Sequence, residues 1–148
     1  MLDITKGMSD GAQAIDANFK ELVSTINNMK DIYSNWKNIT LNSGFSAGDS
    51  NTPQYRIITV QTSTGSKTFA EFRGAIAGSF VSTANTTVGT MPSGTRPIVT
   101  EYFSTASNNG NGGRIAVTTA GELLQVSSTA NANPSYVSLS GIFYEVAS

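Results

Sequence analysis

Carboxylates are the side chains of this sequence that could carry catalysis. The 148 residues include no Cys and no His, which excludes thiol nucleophiles, imidazole acid–base catalysis, disulfides and Cys/His zinc sites. A glycosidase needs two carboxylates about 5–10 Å apart, and Glu71 and Glu101 lie on different predicted strands that could bring them together. Alternatively, both are solvated strand residues paired with Arg73 or Arg114, and on this interpretation the chain is not an enzyme. The carboxylates after residue 36 are Asp49, Glu71, Glu101, Glu122 and Glu145.

Phosphate and metal sites are not indicated by the remaining motifs. The segment GNGGR at residues 110–114 is rich in glycine, but no P-loop Lys and no dinucleotide spacing follow it. The carboxylates are scattered along the chain instead of clustered as in a Ca²⁺ loop. We therefore predict no cofactor and no metal.

Aromatic and amide side chains beside polar loops could bind a sugar. A flat aromatic ring covers the C–H side of a pyranose, while amides and a guanidinium bind its hydroxyls. Tyr102 and Tyr136 each lie beside a polar loop, whereas Trp36, at the start of the strand region, fits a packing anchor better. Core or interface packing is the alternative for the tyrosines, and ordinary loop polarity for the amides. The candidate saccharide-binding residues are Tyr102, Asn108, Asn109, Asn111, Arg114, Asn131, Asn133 and Tyr136.

The N-terminal quarter predicts a helix with a narrow apolar stripe. Between Met8 and Tyr33, apolar residues recur at alternating steps of four and three, the mean spacing of 3.5 that defines a coiled-coil seam. Ser9 or Asp10 could cap the start of this helix. The alternative is an amphipathic helix folded back on its own domain. The predicted seam consists of Met8, Ala12, Ile15, Phe19, Leu22, Ile26, Met29 and Tyr33.

Charge and hydropathy exclude two classes of partner. Charged residues make up 13% of the chain and the formal net charge is −1, so no field attracts nucleic acid or an acidic membrane surface. The N-terminus has no long apolar run, which predicts neither a signal peptide nor membrane insertion and implies synthesis in a cytosol.

The rest of the chain predicts a mainly β domain beginning near Trp36. Short β-branched and aromatic runs alternate with Ser, Thr, Gly and Asn, the pattern of an antiparallel β-sandwich or barrel with a jelly-roll-like arrangement. Gly74 and Gly78 are interpreted as packing positions. Polar loops are expected at residues 42–53, 104–113 and 127–134. The eight predicted strands are Trp36–Leu41, Gln54–Val60, Lys67–Phe80, Thr86–Thr90, Pro97–Phe103, Arg114–Thr118, Glu122–Val126 and Tyr136–Tyr144, the last with a bulge.

Six segments in a fixed order resemble the head domain of phage tail receptor-binding proteins. They are WKNITLNSGF, PQYRI, FAEFRGAIAG, VGTMPSGTRP, GRIAVTTAGELLQV and VSLSGIFYEV, and the resemblance covers nearly all of residues 36–146. The front end, ITKGMSDGAQAIDANFKEL, is similar to the N-terminal helices of lower-baseplate receptor-binding proteins in siphophages of Gram-positive bacteria. Unlike longer relatives, this chain passes from helix to head without a β-prism or collagen-like neck.

The resemblance implies a homotrimer at the phage tail tip or baseplate of the virion. Residues 1–35 would form the trimeric coiled coil and dock to another baseplate or tail protein, and residues 36–148 would form the head. The head would bind a host cell-wall polysaccharide or teichoic acid without cleaving it, through the loops at 104–113 and 127–134. A purely structural baseplate or fibre protein and a polysaccharide depolymerase are the alternatives.

Overall fold

The computed structural model describes residues 4–28, 32–80, 84–110, 112–126 and 134–147, with side chains of the helix described from Ser9 onward. The described chain is mainly β with one N-terminal helix, as the sequence predicts. Helix α1 spans Ile4–Asn28, and its residues from Ser9 to Asn28 are all exposed.

The predicted limits of the helix are wrong at both ends. The helix begins at Ile4, so Ser9 and Asp10 lie inside it and cap nothing. The described helix extends to Asn28. Tyr33 therefore belongs to no helical seam, and it lies instead in a strand that pairs with the head. Met29 falls outside the described residues.

The described residues form thirteen strands, all paired antiparallel, in three sheets. The strands are β1 (Ile32–Tyr33), β2 (Lys37–Asn38), β3 (Thr40–Leu41), β4 (Phe45–Ala47), β5 (Gln54–Thr62), β6 (Gly65–Arg73), β7 (Ala75–Gly78), β8 (Thr86–Thr90), β9 (Glu101–Thr105), β10 (Gly113–Val117), β11 (Glu122–Gln125), β12 (Tyr136–Ser138) and β13 (Phe143–Glu145).

The first sheet is built around a long hairpin. Strands β5 and β6 pair over nine residues each, from Gln54 opposite Arg73 to Thr62 opposite Gly65. Strands β1 and β2 pair with the outer edge of β5, and β13 pairs with the other edge of β6. The second sheet has the order β3-β8-β11-β10-β9. Its β10–β11 hairpin turns between Thr118 and Gly121, which confirms the predicted hairpin.

The third sheet, β12-β7-β4, forms where two predicted strands break. The predicted strand Lys67–Phe80 is two strands, β6 and β7, separated by Gly74 with a φ of +88°. The predicted strand Tyr136–Tyr144 is likewise β12 and β13, separated by a turn at Gly141 with a φ of +91°. Leu139 N–H donates to Gly74 C=O at 2.8 Å, which ties the two breaks together. The expected bulge is therefore a corner at which the chain changes sheet.

Two further predictions differ from the structure. The expected loop at 42–53 contains β4, which pairs with β7. The strand expected from Pro97 begins at Glu101, because Pro97 has no N–H for a ladder and makes an isolated bridge with Val146 instead.

One hydrophobic core joins the three sheets. Phe72, Ile76 and Phe80 are buried in it, as predicted for one shared face, together with Ile115 and Leu123 of the second sheet. The predicted packing role of Gly78 is confirmed, since a Cβ at that position would collide with the Phe45 ring. From Ser9 to Asn28, where the side chains of α1 are described, no residue belongs to this core.

A buried tyrosine fixes the loop before β9 to the core. The Tyr144 ring lies 5.7 Å from the Phe72 ring between centroids, and its hydroxyl donates to Thr95 C=O at 2.7 Å. Burial, and secondarily the nearby Tyr55, raises the pKa of Tyr144 well above that of an exposed tyrosine. The hydroxyl therefore keeps its proton and its hydrogen bond across the physiological pH range.

Candidate functional site

The structure joins Asn108 to Tyr136 through the backbone. Asn108 Oδ1 accepts from Ser135 N–H at 2.7 Å and from Tyr136 N–H at 3.3 Å. Ser107 bridges to Val137 and also donates its hydroxyl to Asn109 Oδ1 at 2.7 Å. The predicted loop at 104–113 is thus fastened to β12, and the side-chain oxygen of Asn108 is occupied by these hydrogen bonds. Among the other predicted sugar contacts, Asn111, Asn131 and Asn133 lie outside the described residues.

Tyr102 and Arg114 form a separate pair. The Arg114 guanidinium carbon lies 4.7 Å from the centroid of the Tyr102 ring, and Tyr102 is 57% exposed. Both residues belong to the second sheet, on β9 and β10, whereas Tyr136 belongs to the third sheet. The structure therefore divides the predicted site into two places on the head.

Two open hollows of about 340 Å³ each share Asn51, Arg73 and Gly74 in their walls, and Tyr136 lines the second of them. The first is also lined by Ser50, Thr52 and Gln54. The second is also lined by Asp49, Ala75, Tyr136, Ser138 and Ser140. We call the pair the Arg73 hollows. Their walls combine one aromatic ring with a guanidinium, a carboxylate, an amide and hydroxyls.

The rim of the Arg73 hollows is a short loop with a constrained backbone. Asp49 and Ser50 have φ values of 51° and 57°, in the left-handed region that residues other than glycine seldom adopt. Hydrogen bonds to the first residue of β7 hold the loop there: Gly48 N–H donates to Ala75 C=O at 2.8 Å, and Ala75 N–H donates to Asn51 C=O at 3.1 Å. The rim is therefore held by the sheet.

Arg73 is positioned by two neighbours. Its Nε and Nη2 donate to Gln54 Oε1 at 2.9 and 2.6 Å, and its guanidinium carbon lies 4.2 Å from the centroid of Trp36. Arg56 lies 4.7 Å from the same ring and pairs with Glu71 at 2.5 Å. Trp36 thus packs between two arginines, the anchoring role that its sequence position favoured. Within the described part of the chain, Nη1 of Arg73 has no partner.

The candidate catalytic carboxylates are engaged elsewhere. Glu71 pairs with Arg56 instead of the expected Arg73 or Arg114, and it belongs to the first sheet while Glu101 belongs to the second. The Arg73 hollows contain one carboxylate, Asp49, and glycoside hydrolysis requires two. The described residues include no group of three acidic side chains that could hold a metal ion. This arrangement suits binding.

The Arg73 hollows contain residues that sequence reasoning missed. Tyr136 was a candidate, but Asp49, Asn51 and Arg73 were not, because they are separated in sequence and meet when the chain turns at Gly74. A sequence signal existed in Gly74 itself, which was identified as a packing position. A Cβ there would collide with Thr52 C=O, so the turn brings the rim loop against the strand break.

The combination of a mainly β head and an N-terminal helix recurs in a solved structure. The crystal structure of the receptor binding protein (gp15) of Listeria phage PSA is similar to this chain with a TM-score of 0.58. The similarity covers 100% of this chain and 81% of that chain at 16% sequence identity, so it establishes the shared fold. No protein-family model and no curated protein matches the sequence. Among the described residues, no helix is long and apolar enough to cross a membrane.

Proposed function

We propose that this chain is a phage tail receptor-binding protein that attaches to a saccharide of the host cell envelope without cleaving it. The fold shared with a phage receptor binding protein supports the receptor-binding role. The observation that carries the saccharide assignment is the second of the Arg73 hollows, which is lined by Tyr136 together with Arg73 and Asn51. Binding sites for small ligands commonly place a few convergent polar groups around an apolar surface.

The donors and acceptors of the Arg73 hollows match the hydroxyls of a sugar. Arg73 offers Nη1 as a donor, Asp49 offers carboxylate oxygens as acceptors, and Ser138 and Ser140 offer hydroxyls. The second hollow contains both Arg73 and Asp49, so its lining carries no net formal charge. A neutral saccharide unit of a cell-wall polysaccharide or teichoic acid is the ligand we propose there.

The exposed stripe of α1 supports a proposed homotrimer. Ile15 and Phe19 are each 63% exposed, and Leu22 and Ile26 are also exposed, although these residues form one line at coiled-coil spacing. Three copies would bury this stripe in a coiled coil, and the family resemblance sets the number at three. Residues 1–35 would then trimerise and dock to another baseplate or tail protein, with the heads at the tail tip of the virion.

A purely structural baseplate protein is the second candidate. Ile98 and Val99 are adjacent and each 58% exposed, a surface that could pack against a neighbouring tail protein. In that case the head would bind no sugar.

The test compares two tyrosines, one inside and one outside the Arg73 hollows. Tyr136→Ala should abolish binding to purified host cell-wall polysaccharide, measured by surface plasmon resonance, while Tyr102→Ala should retain it. Both variants should keep the oligomeric state of the parent. Loss of binding in Tyr102→Ala alone would move the site to the Tyr102–Arg114 pair. Absence of binding by the parent protein would favour the structural role, and release of reducing ends would indicate a depolymerase.

A further inference from the structure

Arg96 differs from the other arginines in the described residues because its side chain has no partner. Arg56 pairs with Glu71, Arg73 binds Gln54, and Arg114 stacks on Tyr102. Arg96 makes no ion pair, ring contact or side-chain hydrogen bond with any residue that the structure describes, and its Nε is buried without an acceptor. Buried polar groups are nearly always hydrogen-bonded, so an unpaired guanidinium nitrogen requires an explanation.

Arg96 lines a hollow that contains no carboxylate. The hollow has a volume of about 340 Å³ and lies between β2, β3, β5 and the loop that precedes β9. Its polar lining residues, besides Arg96, are Asn38, Thr40, Tyr55 and Thr90. The formal charge of its lining is therefore +1, whereas the lining of the second Arg73 hollow is neutral because Asp49 accompanies the arginine. This volume falls at the small end of ligand pockets, which span roughly 300–1,000 Å³.

The backbone around Arg96 is fixed on both sides. Thr95 C=O accepts the Tyr144 hydroxyl, and Arg96 C=O accepts Ala147 N–H at 2.8 Å. Gly121, with a φ of +88°, leaves room for the side chain, since a Cβ there would lie 2.6 Å from Arg96 Nε. The guanidinium is therefore held against the β10–β11 hairpin before any ligand arrives, which lowers the entropy lost on binding.

Hydrogen bonds connect this hollow to the Arg73 hollows. Gln54, which accepts both bonds from Arg73, donates its own amide to Asn38 Oδ1 at 2.8 Å. Gln54 lines the first Arg73 hollow and Asn38 lines the Arg96 hollow. Two units of one polymer could therefore occupy neighbouring sites on the same head. The Asn38 side-chain oxygen is used by Gln54, which leaves its amide N–H groups as donors toward a ligand.

We infer that the Arg96 hollow binds an oxyanion, a phosphate or carboxylate substituent of the envelope polymer. The inference rests on the proposed function for the source of that anion. A guanidinium presents parallel N–H donors that match two oxygens of either group, and such charge-assisted bonds are stronger than neutral ones. An anion there would accept from the terminal nitrogens of Arg96, because Nε itself is buried against Gly121. The Arg73 hollows would bind a neutral sugar unit and the Arg96 hollow its charged neighbour.

The test follows the Nε–Hε signals of the four arginines by ¹H–¹⁵N NMR during titration of the full chain. Glycerol 3-phosphate and galacturonate are the anionic probes, and glycerol is the neutral control. At least one anion should shift the Arg96 signal saturably, and the anion with the higher affinity identifies the substituent. Glycerol should shift none of the four.

Substitutions then identify the group that is responsible. Arg96→Gln should weaken anion binding by about tenfold or more, because a charge-assisted pair is lost. Arg96→Lys should retain part of the affinity for the anion, since lysine keeps the positive charge but lacks the parallel N–H donors of a guanidinium. Lys20→Gln removes an exposed positive charge on α1, outside the hollows, and should bind like the parent. The melting temperature of Arg96→Gln should match or exceed that of the parent, because the orphaned donor disappears.

Three results would overturn the inference: no saturable shift with either anion, equal shifts of all four arginines, or unchanged anion affinity in Arg96→Gln. Binding of purified cell-wall polysaccharide separates this inference from the proposed function. Anion binding through Arg96 without any polysaccharide binding would leave the anion site in place and refute the receptor role. Polysaccharide binding with no anion effect would refute the anion site alone.

Discussion

Gly74→Ala should destabilise the head strongly, because Gly74 has both an unusual backbone angle and a crowded position. Its φ of +88° lies in the left-handed region, where a side chain costs about 1–2 kcal/mol. The added Cβ would also collide with Thr52 C=O and lie 2.9 Å from Pro53 Cα, which are backbone atoms of the rim loop. Overpacking of this kind costs about 1–3 kcal/mol. Together the two effects predict a loss of about 2–5 kcal/mol in the free energy of unfolding.

Gly44→Ala provides a matched control for the backbone angle. Gly44 has a φ of +89°, and a Cβ there would meet nothing within 4 Å. Its substitution should therefore cost about 1–2 kcal/mol, the conformational part alone. The difference between the two variants measures the collision with the rim loop.

Urea denaturation followed by the fluorescence of Trp36, the single tryptophan, gives both free energies. Because Trp36 packs on Arg73, its signal also reports on the Arg73 hollows. Gly74→Ala should additionally lose polysaccharide binding, since Gly74 lines both of these hollows. Equal losses of stability in Gly74→Ala and Gly44→Ala would refute the reasoning, because they would mean that the rim loop moves aside without resistance.

Two further predictions concern the helix and the core. Phe19→Asp should dissociate the proposed trimer by placing charges together at the seam. Gln13→Asp lies off the predicted seam and should leave the trimer intact. Sedimentation equilibrium measures both variants, and a Phe19→Asp protein that stays trimeric would exclude the seam. Tyr144 has a raised pKa in the folded state, so its contribution to stability is complete below pH about 10 and is lost as pH rises further. Stability should therefore fall less steeply above pH 10 in Tyr144→Phe than in the parent; equal slopes would contradict this assignment.

Local patterns in the sequence predicted the elements that depend on neighbouring residues. The hairpin at Thr119–Gly121 follows from its turn residues, and the buried positions Phe72, Ile76 and Phe80 follow from their spacing. The exposed α1 stripe from Ile15 to Ile26 agrees with the narrow face that the heptads describe, although its burial in a trimer stays a prediction.

The breaks between strands could not be predicted in the same way, because they depend on contacts far apart in sequence. Gly74 and Gly141 interrupt runs that are apolar enough to be single strands. What turns the chain at Gly74 is the approach of Thr52, over twenty residues earlier. The predicted end of the helix is wrong for a related reason. Tyr33 fits the heptad spacing, but the pairing of β1 with β5 decides the conformation of Tyr33.

The Arg73 hollows lie outside the two loops predicted to bind saccharide, and they are lined by the rim loop as well as by strand residues. The predicted loops at 104–113 and 127–134 are rich in Asn, but the side chain of Asn108 fastens its own loop to β12. The polar groups that remain available lie on or beside paired strands, Arg73 at the end of β6 and Asn38 in β2. A loop rich in amides thus indicates where hydrogen bonds are needed to fold the loop, and only the structure separates those from free donors.

Rigid, shallow sites would suit the several copies of the head in the proposed trimer. Gln54 holds both Arg73 and Asn38, so the donors of the two neighbouring hollows are positioned before binding and little entropy is lost on contact. Each open hollow buries only part of a sugar, and we expect weak affinity from a single head. Linking sites on one particle raises avidity by about 10²–10⁴ without new contacts. Attachment would then be strong at a surface that repeats the saccharide and weak on an isolated fragment, so a monomeric head that binds polysaccharide as tightly as the whole protein would contradict this account.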